Sequence, residues 1–235
     1  MSQDEAAGAA TTATPASGPI AELVDAVRPR LRGWLHVGMA PIVLAAGIVL
    51  IALSDSGAAR AAVAIYTICG MALFTTSGVY HRRQWGARAH AWLRRADHAN
   101  VYLLIAGTYT PVVVLGLDGA ARTSMLWIIW IGAALGVGFR FLWPGAPRAL
   151  YVVLYVVLGW SIAPELGQLL HSAGVGVFVL TLAGGVLYTV GALVYATKRP
   201  DPAPRWFGFH EVFHSCTIAA WVCQYVAISV LVYRQ

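Results

Sequence analysis

The chain has 235 residues, 59% of them hydrophobic and 11% charged, and its mean hydropathy is +0.68. A soluble domain carries about 25% charged residues, so the composition excludes an ordinary soluble fold and points to an all-α integral membrane bundle. The formal net charge of +6 does not indicate a nucleic-acid partner, because the basic residues lie in short connections between apolar runs, where they report topology.

Residues 1–19 are Ala, Thr, Ser, Gly and Pro with two acids. Such a stretch cannot bury a core and is expected as a disordered arm; it also lacks the basic and apolar regions of a cleavable signal peptide. Over 20–33, Ile20, Leu23, Val24 and Val27 recur at helical spacing with Glu22, Asp25 and Arg28 between them. That pattern predicts an amphipathic helix lying on the membrane and ending near Pro29.

The transmembrane domain then occupies 34–235. Seven apolar runs are each near the length that crosses a bilayer: His36–Leu53, Ala61–Tyr80, His98–Leu117, Ser124–Phe141, Ala149–Leu166, Gly174–Ala196 and Glu211–Tyr233. Pro164 and Glu165 interrupt the end of the fifth, which leaves six spans as the main alternative.

With seven spans, thirteen of the sixteen basic residues fall on one side, and only Arg60, Arg122 and Arg234 on the other. The bias predicts a cytoplasmic N-terminus. The loop Arg82–Ala96 carries Trp85 and Trp92 seven residues apart, the pattern of an interfacial helix that anchors. Gly184, Gly185 and the pair Gly132 and Gly136 read as close-packing positions. Cys69, Cys216 and Cys223 lie inside apolar runs without a C-x-x-C and read as small lipid-tolerant residues. Fifteen of the sixteen basic residues are Arg, which together with abundant Ala and Gly reads as a GC-rich bacterial source. The expected location is the bacterial cell membrane.

The chemistry-bearing stretch is Gly208-Phe209-His210-Glu211-Val212-Phe213-His214. Two His four apart share one helix face, about 6 Å apart along the axis, and H-E-x-x-H is the pattern of a zinc-binding helix. The topology brings the end of the second span (Ser77, His81) and the start of the third (Asp97, His98) to the same membrane face. His81, His210 and His214 then offer three nitrogens and leave a fourth position open, as catalytic zinc requires. Asp97 is either the fourth ligand or the group that holds and deprotonates a water there. It also supplies counter-charge for a dication near lipid. His98 lies about 100° around the helix from Asp97, so Asp97 is the preferred partner. Glu211 has two readings: the general base of a peptidase, or an acid placed for the positive end of the helix dipole. His36, His171 and His90 read as surface residues.

Three blocks carry a family resemblance: Ser77-Gly78-Val79-Tyr80-His81, Asp97-His98-Ala99-Asn100 through Thr110-Pro111, and Gly208 through His214. Together they resemble the haemolysin III family, the bacterial branch of the progestin and adipoQ receptor group. The resemblance implies a seven-helix fold with a zinc ion near the inner membrane face. It maps the family's Ser, His, Asp and two His onto Ser77, His81, Asp97, His210 and His214. It further implies ceramidase-like hydrolysis of lipid amides, haemolysis or membrane-fluidity homeostasis, and Glu211 is not part of the zinc set. The departures are the long N-terminal arm and the Pro-rich connection at 200–204, expected to lie away from the site.

The leading expectation is therefore a zinc-dependent hydrolase of a lipid amide or ester, with Asp97 holding water and Ser77 supporting by hydrogen bonding. The alternatives are a homeostasis or signalling protein with structural zinc, an intramembrane peptidase using Glu211, and a cytolytic protein.

Overall fold

The computed structural model describes residues 29–234, and they are all-helical apart from one isolated bridge between Ala203 and Phe207. In chain order the helices are α1 (Trp34–Leu53), α2 (Gly57–Arg82), α3 (Ala87–Gly116), α4 (Gly119–Leu142), α5 (Arg148–Gly159), a 3-10 turn (Ala163–Glu165), α6 (Leu166–Thr197) and α7 (Phe209–Val232). Of the amphipathic helix expected over 20–33, only 29–33 is described, and it is non-helical; residues 1–28, the arm included, lie outside the described residues. The interfacial helix expected over 82–96 is not separate, because α3 begins at Ala87 and continues straight into the span.

Six helical stretches among the described residues are long and apolar enough to cross a membrane. The difference from the expected seven lies in the fifth and sixth runs, which join into one helical tract, Arg148–Thr197, of 50 residues. As one straight helix that tract would be about 75 Å long, more than twice a bilayer core. It is not straight: Gly174 leaves helical geometry at φ 83°, a value that glycine adopts without the Cβ penalty. Arg148 at one end donates to the Tyr195 carbonyl at 3.3 Å, and Trp160 Nε1 to Thr189 Oγ1 at 2.9 Å.

The bundle has two ends. Gly116, Ser172 and Arg234 mark one, where Ser172 donates to the Gly116 carbonyl and Arg234 to the Ala173 carbonyl. The other gathers the start of α1, the end of α2, the first turns of α3 and α7, and the end of α6. Helices α1, α2 and α3 pack in sequence, and α6 packs along α7. The core is built by Val43, Tyr66, Phe74, Tyr102, Ile129, Trp221 and Ile228, all buried. Leu142 is 88% exposed, Leu135 70% and Trp127 65%, an outward apolar surface that only lipid can cover favourably.

Candidate metal centre

Helix α7 is set by its N-terminal cap. The Phe209 N–H donates to Asp201 Oδ1 at 2.8 Å, and the Gly208 N–H to Glu211 Oε2 at 2.9 Å. Glu211 thus reaches back over the first turn, satisfying donors the helix cannot. The Pro-rich connection, expected to lie clear of the site, supplies Asp201 and so helps hold the helix that carries it. With α7 started there, His210 and His214 project from one face toward the last turn of α2.

There they meet His81. One nitrogen from each of His81, His210 and His214 lies within 4.8 Å of the others, and all three residues are buried. The Nε2 atoms of His81 and His210 are 3.1 Å apart, close to the about 3.3 Å edge of a tetrahedron with zinc–nitrogen bonds of about 2.05 Å. Nδ1 of His214 is buried without a hydrogen-bond partner. Asp97 Oδ2 lies 3.8 Å from His81 Nε2, and the Ser77 side chain lies beside the Asp97 carboxyl. Ser77 and Asp97 are also buried. Three buried imidazoles with a carboxylate beside them make a donor set that fits zinc.

The neighbouring residue His98 turns elsewhere: its Nδ1 accepts from Arg140 Nη2 at 2.7 Å, its carbonyl accepts from Tyr155, and its Nε2 is 3.4 Å from the Tyr195 hydroxyl. Glu211 is fully buried. Its Oε1 takes the Arg32 Nε–H at 2.5 Å, and its Oε2 is the cap just described, so both oxygens are engaged in holding the chain rather than directed at a substrate.

His36 was expected at the surface, and that expectation fails. It is 2% exposed, stacked on the His214 ring at 3.7 Å between centroids and 12° between planes, with Phe74 edge-on at 5.0 Å. Neither of its ring nitrogens has a hydrogen-bond partner. The available signal was topological: the first span begins at the same membrane face as the other ligands, so a His in its first turn faces inward when α1 packs against α2. His90 and His171 are exposed, as expected.

The centre opens onto a cavity that is in part continuous with the outside. Asp97, His210 and His214 form one end, and Ile105, Val156 and Trp160 line its length. The Tyr109 hydroxyl, also on the wall, donates to the Gly159 carbonyl. The lining is mostly apolar, interrupted by Thr108, Thr189 and Gln224, so the space suits a hydrocarbon chain with a polar group at one end.

The family model described as Haemolysin-III related matches residues 24–225. The chain is 32% identical to "Hemolysin-3" of Bacillus cereus over 155 residues, 65% of this chain and 70% of that protein. It is 34% identical to the "Hemolysin-3 homolog" of Bacillus subtilis over 48% of this chain and 54% of the relative. It is also 27% identical to "Monocyte to macrophage differentiation factor" of Homo sapiens over 72% and 70% of the two chains. The family match includes His81, Asp97, His210 and His214, and the chain belongs to the haemolysin-III-related family of multi-pass membrane proteins.

Proposed function

We propose that the protein is a zinc-dependent hydrolase of a lipid amide or ester, ceramidase-like in its reaction, serving membrane lipid homeostasis in a bacterial cell membrane. The observation that supports it most is the placement of three buried imidazoles and a buried carboxylate at the head of an apolar cavity.

His81, His210 and His214 would hold the ion, and zinc bound there supplies Lewis acidity and lowers the pKa of water toward about 7. Asp97 orients the attacking water and accepts its proton at Oδ2. Ser77 fixes the Asp97 carboxyl by hydrogen bonding and so sets the direction in which it accepts. The apolar walls seat the acyl chain, which places the scissile carbonyl at the histidine end and keeps bulk water from the rest of the cavity.

The orientation belongs to the same proposal. The tract Arg148–Thr197 is read as two crossings that reverse at Gly174, giving seven crossings and a cytoplasmic N-terminus. Two facts support the reversal: Ser172 reaches Gly116, while Arg148 and Tyr195 meet at the other end of the bundle. The positive-inside bias then puts the metal centre near the cytoplasmic headgroups.

The second reading, a structural zinc, has its own observation. Asp97 stands close enough to His81 to close the coordination shell, and the ligands come from helices α2, α3 and α7. Zinc analysis and turnover of a ceramide by Asp97→Asn separate the two. Retained zinc with turnover lost supports the hydrolase; zinc and stability lost together support the structural role. Zinc absent from the wild-type protein, or retained after His210→Ala and His214→Ala together, removes both.

A further inference from the structure

Away from the metal centre, a second recess lies between the start of α3 and the end of α4, lined by His90, Ala91, Arg94, Arg95, Arg140 and Pro144. Arg140 is its floor. It is 1% exposed, and its guanidinium is held by a hydrogen bond to His98 and by the Tyr151 ring at 4.5 Å, both neutral partners. Its Nε and Nη1 are buried without a hydrogen-bond partner, as is Nε of Arg95. Among the described residues the ion pairs are Arg32–Glu211, His81–Asp97 and Arg122–Asp118, so no carboxylate compensates this recess. Three guanidiniums around one opening, one of them fully buried, are costly unless an anion joins them.

The rim tells which anion. Trp92 is 53% exposed, Trp143 53% and Leu142 88%, and Trp92 packs on Phe141 at 5.5 Å. A basic opening edged by exposed aromatic and aliphatic side chains is the setting of a lipid headgroup, with chains against the apolar rim and phosphate inward. Arginine suits phosphate oxygens particularly well. We propose that this recess binds the phosphate of an anionic phospholipid, at a site separate from the metal centre and independent of what the metal does.

The test is a titration of the full chain, purified in a neutral detergent, with short-chain phosphatidylglycerol, phosphatidylcholine of the same chains, and inorganic phosphate, reading Tm. Phosphatidylglycerol is expected to raise Tm saturably and phosphatidylcholine not. Arg94→Ala with Arg95→Ala should move the phosphatidylglycerol midpoint to roughly 30-fold higher concentration, from the usual worth of a basic residue near an anionic lipid surface taken twice. Arg60→Ala with Arg122→Ala, at the other end of the bundle, should leave the midpoint unchanged. Arg140→Gln should weaken binding further; if that variant does not fold, the surface double variant carries the test. Inorganic phosphate that fails to raise Tm assigns the site to a headgroup. Inorganic phosphate that matches and competes with phosphatidylglycerol keeps the anion site but overturns the lipid as its source. Equal midpoints in wild type and the Arg94/Arg95 variant, or equal effects of the two lipids, overturn the site itself.

Discussion

Replacing Arg32 by Met tests whether Glu211 is a structural or a chemical residue. The substitution keeps an unbranched apolar stem and removes only the guanidinium, leaving the Glu211 carboxylate with its cap donor alone. Glu211 is wholly buried, while the Arg32 side chain is 19% exposed, so water can partly take over on one side only. Removing one partner of a buried pair costs about 3 to 5 kcal/mol, and the exposure of Arg32 places this case at about 3 kcal/mol. For a chain of this length that corresponds to a fall in Tm of about 6 to 12 °C. Thermal unfolding of wild type, Arg32→Met, Glu211→Gln and the double variant in one detergent forms a cycle. The double variant should regain about half of the loss, since it buries no uncompensated charge. Arg32→Met melting within 1 °C of wild type (on the order of measurement error) would refute the reasoning. Loss of turnover in Glu211→Gln at full stability would return Glu211 to a catalytic role.

Other outcomes follow from single features. Gly33 precedes α1 at φ 82°, and a Cβ there would lie 2.8 Å from the His81 Cβ; Gly33→Ala should cost about 1 to 3 kcal/mol and weaken zinc retention by displacing a ligand. His36→Ala should leave a void beneath His214, lowering Tm and speeding zinc loss to a chelator, while His36→Phe, which restores a stacked ring, should recover most of both. Protons compete with zinc for imidazole nitrogen, whose ordinary pKa is about 6.5. Metal-bound imidazole must stay unprotonated, so the metal's share of stability is present at neutral pH and lost below about pH 6. EDTA should abolish that dependence of Tm on pH, and identical curves with and without EDTA would mean that no metal bridges the helices.

Much of this was legible in the sequence because lipid imposes a simple rule: each long apolar run becomes a helix, since no other segment satisfies its backbone there. The grouping of the candidate ligands was legible for a related reason. His210 and His214 sit four apart, and topology alone brings His81 and Asp97 to their level. What escaped was fixed by partners distant in sequence. Arg32 and Glu211 are 179 positions apart, and neither residue's surroundings name the other. His36 occupies a span end where a surface imidazole is equally acceptable, and only the packing of α1 buries it. Arg140 looked like one more basic residue at the end of a span, yet it is sealed beneath α3. The boundary expected between Leu166 and Gly174 does meet a break at Gly174, but the helix before it resumes at Leu166, which hydropathy alone does not show.

The distance along the chain between His81 and His210, 129 positions, has a consequence for biogenesis. A ribosome delivers α2 to the membrane long before α7 exists, so for most of synthesis the cell holds a bundle with one of its three candidate imidazole ligands. Such an intermediate offers a metal ion at most a single imidazole and the Asp97 carboxylate, too few to retain it against cellular chelators. If the three histidines hold a metal as proposed, its loading would be confined to the moment after the last helix inserts, and a chain stalled or cleaved before residue 210 would leave the membrane-insertion machinery metal-free.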